Sequence, residues 1–448
     1  MMASKLYTFL KNSILSIDEV DLDDFMKELI DTEFGGKECS SSPETLELIE
    51  RYGFGWDPLS IPGYLTFRPY AAFMEEATKL HIWKMVQKFC KDNDFPVQRI
   101  AGGDLYSLDK PLMKNHVQLA EEVGMYGDGL LQVTGNHILR FSGCSNKLSL
   151  LKHTNFEDKR LPIGIFEISD SYRYEKENHL DYLVRNRLFH LPELHIVNEN
   201  LDKGLDMLLR GHRQMDQDME EHDLDYIMLF STTKQFLKEH MGFIKEICKN
   251  CKHLPIINAV DDNSCENGIV FDVEYKACMR NDSLVEIGTF QIDEGSTGFA
   301  YGITYHNRPV TTVHAVFFAS SIERTIYTYC DKAANGKTLL PLWLAPIQCR
   351  IIPKSADFCG DALSLGETFV NHLRTEVDDR PEDCCKKLEE AIAMKVPYVI
   401  FVGNDLKLYD YDTDGFEVTD VNKLLNLERG ATCVYNQFSP LCLSQKIL

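Results

Sequence analysis

Thr338-Leu-Leu-Pro-Leu-Trp-Leu-Ala-Pro-Ile-Gln-Cys-Arg-Ile-Ile-Pro353 reads as an apolar turn bounded by prolines that feeds an apolar strand, Ile347-Gln-Cys-Arg-Ile-Ile352. It follows closely on Ser321-Ile-Glu-Arg324, where Arg324 heads an amphipathic, helix-competent run. Downstream, Ala362 to about Leu373 predicts a helix, Thr375-Glu-Val377 a strand edge, Asp383–Lys395 a helix and Tyr398-Val-Ile-Phe-Val402 a buried strand. That β-α-β-α-β alternation signals a separate, smaller parallel-sheet domain over residues 346–448. Upstream, strand-like alternation dominates at Leu130–Val133, His137–Arg140, Ile163–Ile168 and Ile269–Tyr275, with helices at Pro69 to about Lys91 and around 199–219. Strands that dominate with helices set between them predict an α+β domain over residues 56–345, an antiparallel sheet flanked by helices. Residues 1–55 read as a short, acidic, helical segment.

A chain of 448 residues holds two or three domains, each large enough for its own core. No apolar run reaches the roughly 20 residues that span a bilayer, and the N-terminus has neither a signal-peptide nor a transit-peptide pattern. No membrane contact and a cytoplasmic location are therefore expected. The 14 cysteines are scattered and read mostly as reduced, packed thiols. Cys248-Lys-Asn-Cys251 has metal-ligand spacing, but no second pair completes a tetrahedral site. With 47 basic against 69 acidic residues the net charge is −22, which argues against promiscuous binding of nucleic acid such as DNA. A selective RNA surface remains open where basic residues share one face.

Four further segments and two single residues carry chemistry. Ser171-Tyr-Arg-Tyr-Glu175 sets an arginine two positions before a glutamate, and Val184-Arg-Asn-Arg-Leu-Phe189 adds cations beside an aromatic ring. Leu191-Pro-Glu-Leu-His195, Cys144 and His314 supply a carboxylate, a thiol and two imidazoles, and Ile287-Gly-Thr-Phe-Gln-Ile-Asp293 is an alternating strand with Gln291 on it. Taken singly, each has a plain role: a surface ion pair, a buried thiol, a helix-end or strand histidine, a sheet glutamine.

The order and spacing of these segments, with the Pro-Leu-Trp-Leu-Ala-Pro turn as landmark, resemble class II aminoacyl-tRNA synthetases. The wording is most similar to threonyl-tRNA synthetases of the archaeal kind, through most of residues 60–410. Val377-Asp-Asp-Arg380 and Val396–Gly403 resemble the anticodon-binding domain that several class II synthetases share. By this resemblance, Arg173 grips the α-phosphate of ATP, Glu175 reads the adenine amino group, Arg185 takes the γ-phosphate, Phe189 stacks on adenine and Arg324 clamps ATP from the other side. Arginine suits that work because its planar fork donates two hydrogen bonds to oxyanions. The resemblance implies one zinc ion on Cys144, His195 and His314, whose open position takes the amino group and hydroxyl of threonine. It also implies Mg2+ entering with ATP, a pocket in which Gln291 and Glu193 face threonine, and a homodimer through residues 60–110. The expected function is a threonine–tRNA ligase acting on ATP, L-threonine and tRNA(Thr), without an N-terminal editing domain.

The sequence departs from the family at several points. Glu193 stands for an aspartate, Ser320 for a glycine, Asp272 for a lysine, and Gly103 is nearest to the place of the motif 1 proline. The alternative these suggest is a non-catalytic paralogue that binds ATP, amino acid or tRNA in a regulatory role.

Overall fold

Lys5-Leu-Tyr-Thr-Phe-Leu10 is rich in residues that suit a pleated strand, and Lys11 and Asn12 take φ of 50° and 64°. Two such residues make the tight turn of a two-residue hairpin. The chain therefore begins with strands β1 (Lys5–Leu10) and β2 (Ser13–Ser16), not with the helix expected there. Helices Asp24–Glu33 and Pro43–Arg51 follow, their first turns capped by the side chains of Asp23 and Ser42. The computed structural model describes residues 5–445 except 38–40, 115–116, 118–128, 158–159, 261–267, 282, 318–319, 335, 371 and 421–440.

By contacts the chain divides into two units. The first comprises Met1–Ser41, Pro58–Tyr64 and Ile82–Thr328. Its sheet has ten strands: β1 and β2, then β3 (Val97–Arg99), β4 (Ile163–Tyr172), β5 (Leu188–Asn198), β6 (Tyr226–Thr233), β7 (Ile256–Val260), β8 (Ile269–Cys278), β9 (Leu284–Asp293) and β10 (Thr311–Val316). Their spatial order is β2-β1-β7-β6-β8-β9-β10-β5-β4-β3. From β6 to β4 every neighbour is antiparallel. The parallel pairs, β6 with β7 and β4 with β3, lie outside that run. The fold is thus the expected α+β design.

Helix Leu201–Glu221 packs on this sheet through Leu208, Met215 and Met219, all buried. Glycine allows the approach: a Cβ on Gly211 would stand 2.7 Å from the Phe290 ring. The same helix buries Asp218, whose Oδ1 accepts from Gln214 while its Oδ2 has no hydrogen-bond partner among the described residues. Burial raises this carboxyl to about 6. The folded chain then holds a proton that the unfolded chain releases near pH 4. Stability from this group is greatest below the unfolded value, falls as pH rises to about 6 and is level above it. Asp218→Asn is expected to raise stability at pH 7 by ~1–3 kcal/mol and to flatten that slope, as measured by urea unfolding at pH 4.5 and 7.

The second unit comprises Ser42–Asp57, Leu65–His81 and Tyr329–Leu448. Its sheet holds β11 (Cys349–Pro353), β12 (Thr375–Val377), β13 (Tyr398–Val402), β14 (Leu406–Asp410), β15 (Gly415–Val418) and β16 (Leu441–Cys442), ordered β15-β14-β13-β11-β12-β16. The four strands β13, β11, β12 and β16 run parallel. Alternate residues feed cores on both faces, Ile351, Ile400 and Val402 on one and Ile352, Val399 and Phe401 on the other. That explains why these strands read as continuous apolar runs. The proline-bounded turn is fixed by Arg374, which donates to the carbonyls of Leu342 and Ala345, and Trp343 stacks on His81 at 4.0 Å.

Candidate active site

The register of the central strands puts chemistry in one line. Asp272 on β8 is paired with Gln291 on β9, Gln291 with His314 on β10, and His314 with His195 on β5. The two imidazole rings lie 4.7 Å apart, centroid to centroid. Cys144 opens the short helix Cys144–Ser149 over this row. The ligand atoms of Cys144, His195 and His314 all fall within 4.8 Å of one another, the one such group of three among the described residues. His195 belongs to the interior of a strand rather than to a helix end. Cys251 Sγ instead donates to the Ile247 carbonyl at 3.6 Å.

The donor set fits zinc. One sulfur and two imidazoles are borderline-soft ligands at the spacing of a shared ion, and three of them leave a fourth position. Burial, with Glu193 alongside, pushes the Cys144 thiol up to about 12, so bound metal would have to displace its proton. Glu193 is the hub beneath the triad. Its Oε1 lies 3.5 Å from Cys144 Sγ and 3.3 Å from His314 Nε2, and its Oε2 meets Lys147 Nζ at 2.7 Å and the Gly143 amide at 3.1 Å. Burial acts to raise this carboxyl, but the Lys147 ammonium beside it holds it well below the usual range.

Lys147 is a residue that sequence reasoning missed. It is 0% exposed and also reaches Glu167, which Arg140 pairs at 2.9 Å. Nothing in Cys-Ser-Asn-Lys marks a lysine as buried. Removing one partner of a buried ion pair leaves the other charge uncompensated. Lys147→Met is expected to cost ~3–5 kcal/mol in urea unfolding, with part of that recovered in Lys147→Met/Glu193→Gln.

Beyond Glu193 the site opens into a cavity of about 360 Å³ with Arg173, Arg324 and Phe189 on its walls. Residues 189, 191 and 193 alternate along β5 and all line it. Arg173 has its guanidinium 4.9 Å over the Phe189 ring, and its Nε is buried with no hydrogen-bond partner among the described residues. Burial and then the neighbouring Arg324 guanidinium lower its affinity for its proton. Two crowded cations with an unused donor make a site for an anion. Arg324, in helix Ile322–Ala334, donates to the Val184 carbonyl at 2.8 Å and pairs with Glu286 at 3.2 Å. Glu175 accepts from Arg185 Nε at 2.8 Å, so Arg185 is held against Glu175. Asn186, with a buried Oδ1 that lacks a partner among the described residues, lines the cavity as well.

Gln291 lies on the cavity wall between the histidine pair and Asp272. Asp293 holds the next turn, accepting from the Gly295 and Thr312 amides. Asp272, placed where a lysine was expected, accepts from Thr289 and Gln291, and burial, with Glu274 nearby, raises its carboxyl above the usual range. The same strand carries a buried cation four residues on. Lys276 pairs with Glu274 at 2.6 Å, Glu33 at 2.8 Å and Glu286 at 3.9 Å. The charged row Asp272-x-Glu274-x-Lys276 on an otherwise apolar strand was the signal that could have found it.

The sequence matches the family described as "Anticodon binding domain" over residues 348–409. Among curated proteins it is 29% identical to the "Threonine--tRNA ligase" of Thermofilum pendens over 394 residues, 85% of this chain and 63% of the relative. It is 30% identical to that of Pyrobaculum arsenaticum over 400 residues, 86% of this chain and 63% of the relative. The chain thus spans about three-fifths of the length of these relatives. Among solved structures, the "RNA binding domain of Threonyl-tRNA synthetase" of Cryptosporidium parvum superposes with a TM-score of 0.71 at 17% identity, covering 88% of this chain and 99% of that one. The prolyl-tRNA synthetase of Giardia lamblia, "in complex with prolyl-adenylate", gives 0.64 at 16% identity, covering 85% and 75%. In sequence the chain is thus similar to threonine–tRNA ligases over about three-fifths of their length, its residues 348–409 match the anticodon-binding family, and its fold is the one found in the solved threonyl- and prolyl-tRNA synthetases.

Proposed function

We propose that this chain is an aminoacyl-tRNA ligase that activates L-threonine with ATP and transfers it to tRNA(Thr). The observation that carries the proposal is that His314, one of the Cys144–His195–His314 cluster, lines the same cavity as Arg173 and Arg324. Zinc held by the cluster would supply an open position that accepts an amino group and a neighbouring hydroxyl, which valine lacks. Gln291 and Glu193 border that position and orient the amino acid. Arg173, with its unused Nε, binds the α-phosphate and the threonine carboxylate, bringing nucleophile and phosphorus together. Arg324 closes on the triphosphate from the other wall, with Mg2+ entering on ATP. Glu175 accepts from the adenine amino group, with Phe189 against the base, and Arg185 swings from Glu175 to the γ-phosphate.

The charge that develops in the transition state lies on phosphate oxygens, where preorganised cations in a dry site act most strongly. The second unit would receive the tRNA anticodon. A homodimer in the cytoplasm completes the reading; no helix among the described residues is long and apolar enough to cross a membrane. Threonine-dependent exchange of labelled pyrophosphate into ATP tests the activation step. Background exchange with ATP binding intact would turn the reading to a binding or regulatory protein on the same scaffold.

A further inference from the structure

We propose that Asp272 is a positioning residue for the metal cluster: it fixes the Gln291 amide, and through it the proton on the His314 ring, so that Nε2 is the nitrogen offered to the metal. This rests on the metal reading above and adds to it a residue that neither lines the cavity nor touches the ion.

Hydrogen bonds run along the cross-sheet row from Asp272 to His314. Gln291 Nε2 donates to Asp272 Oδ2 at 3.1 Å, and Thr289 Oγ1 donates to Asp272 Oδ1 at 3.0 Å. A glutamine amide has one end that only donates and one that only accepts. With the donor end committed to Asp272, the end facing His314 is Oε1, and it lies 3.2 Å from Nδ1. Such a contact is a hydrogen bond only if Nδ1 carries the hydrogen. In a neutral imidazole that leaves the lone pair on Nε2. Nε2 is on the cluster side of the ring: it lies 3.3 Å from Glu193 Oε1, which itself lies 3.5 Å from Cys144 Sγ, and it makes no hydrogen bond among the described residues.

An apolar residue at 272 would release the amide. Gln291 could then turn over and offer its NH2 to Nδ1, which places the hydrogen on Nε2 and blocks the ligand position. Partners that orient ligating histidines in this way typically change metal affinity 10–100-fold. A lysine, which the resemblance places at 272, has no acceptor to offer Gln291 Nε2. On this reading the departure is a rewiring of the cluster's support, while Lys276 supplies a cation nearby.

The test measures zinc affinity of the full chain by competition with a chromogenic chelator, alongside the visible spectrum of the cobalt-substituted protein. Asp272→Asn keeps an acceptor and is expected to stay within about threefold of wild type. Asp272→Leu is expected to weaken zinc ~10–100-fold and to alter the cobalt bands. Asp272→Leu/Gln291→Glu is expected to restore affinity to within a few-fold, because a carboxylate at 291 only accepts and holds the hydrogen on Nδ1. Where Asp272→Leu does not fold, Gln291→Leu cuts the relay at its next residue and carries the same expectation. Wild-type zinc affinity in the leucine variants, or failure of the glutamate to restore it while the protein stays folded, overturns the proposal. Absence of zinc from wild type, or its full retention in Cys144→Ala, overturns the metal reading itself and this proposal with it.

Discussion

Arg173→Ala lowers threonine-dependent pyrophosphate exchange by roughly 10²–10³-fold, and Arg324→Ala by somewhat less, on the scale seen when one preorganised donor is removed from a charged transition state. The ordering follows from what each guanidinium does before ligand arrives. Arg173 holds a buried Nε with no partner among the described residues, so a phosphate oxygen gains that hydrogen bond without breaking another. Arg324 already pairs with Glu286 at 3.2 Å and donates to Ser320 at 2.8 Å, and part of its gain is offset by loosening those contacts. Arg324→Lys keeps the charge but loses the fork and the bond to the Val184 carbonyl, and it is expected to behave much more like alanine than like wild type. Thermal melting of each variant separates loss of chemistry from loss of fold. Equal exchange in wild type and Arg173→Ala would mean that phosphate is bound elsewhere.

The residues that meet at the candidate cavity were singled out in the sequence because their segments keep a fixed order around the Pro-Leu-Trp-Leu-Ala-Pro turn. Cys144, His195 and His314 are far apart in the chain, and no local pattern joins them. The antiparallel register of β5 and β10 sets the two histidines opposite each other, and a helix start delivers the cysteine. The double-faced core of the smaller sheet was equally readable, since Ile351–Ile352 and Val399–Val402 carry apolar residues at successive positions.

What escaped was electrostatic or local. Lys147 is a lone lysine in a polar hexapeptide, and only tertiary contact with Glu167 and Glu193 makes it a buried cation. Lys276 was eclipsed by the anomaly at Asp272, although both lie on one strand that carries charge at every second position. The N-terminal strands were read as helix because the acidic run at 18–24 dominated the window, while the turn at Lys11-Asn12 shows only in its backbone angles. The pairing of Arg185 with Glu175, expected only as separate contacts to ATP, depends on a fold-back of residues 181–185 that has no sequence signature.

The metal prediction has the other large expected effect. Purified protein is expected to carry one zinc per chain, and Cys144→Ala or His314→Ala to lose it under mild chelation. Zinc sites built from protein ligands bind with about 10–16 kcal/mol in all, so one ligand of four is worth roughly 3 kcal/mol, about a 100-fold loss of affinity. Here the loss should be larger for cysteine than for histidine. The thiolate is the one anionic donor among the three ligands, and its removal leaves Glu193 as the sole negative group at the cluster. Glu193 is already engaged by Lys147 at 2.7 Å and by the Gly143 amide. Metal binding must also remove the proton that burial holds on Cys144, so zinc uptake by wild type should release about one proton, and uptake by Cys144→Ala should not. Proton release measured in weakly buffered solution therefore identifies the thiol as a ligand independently of catalysis. Cys248→Ala/Cys251→Ala is the control, and zinc loss there with retention in Cys144→Ala would move the metal to the other cysteine pair.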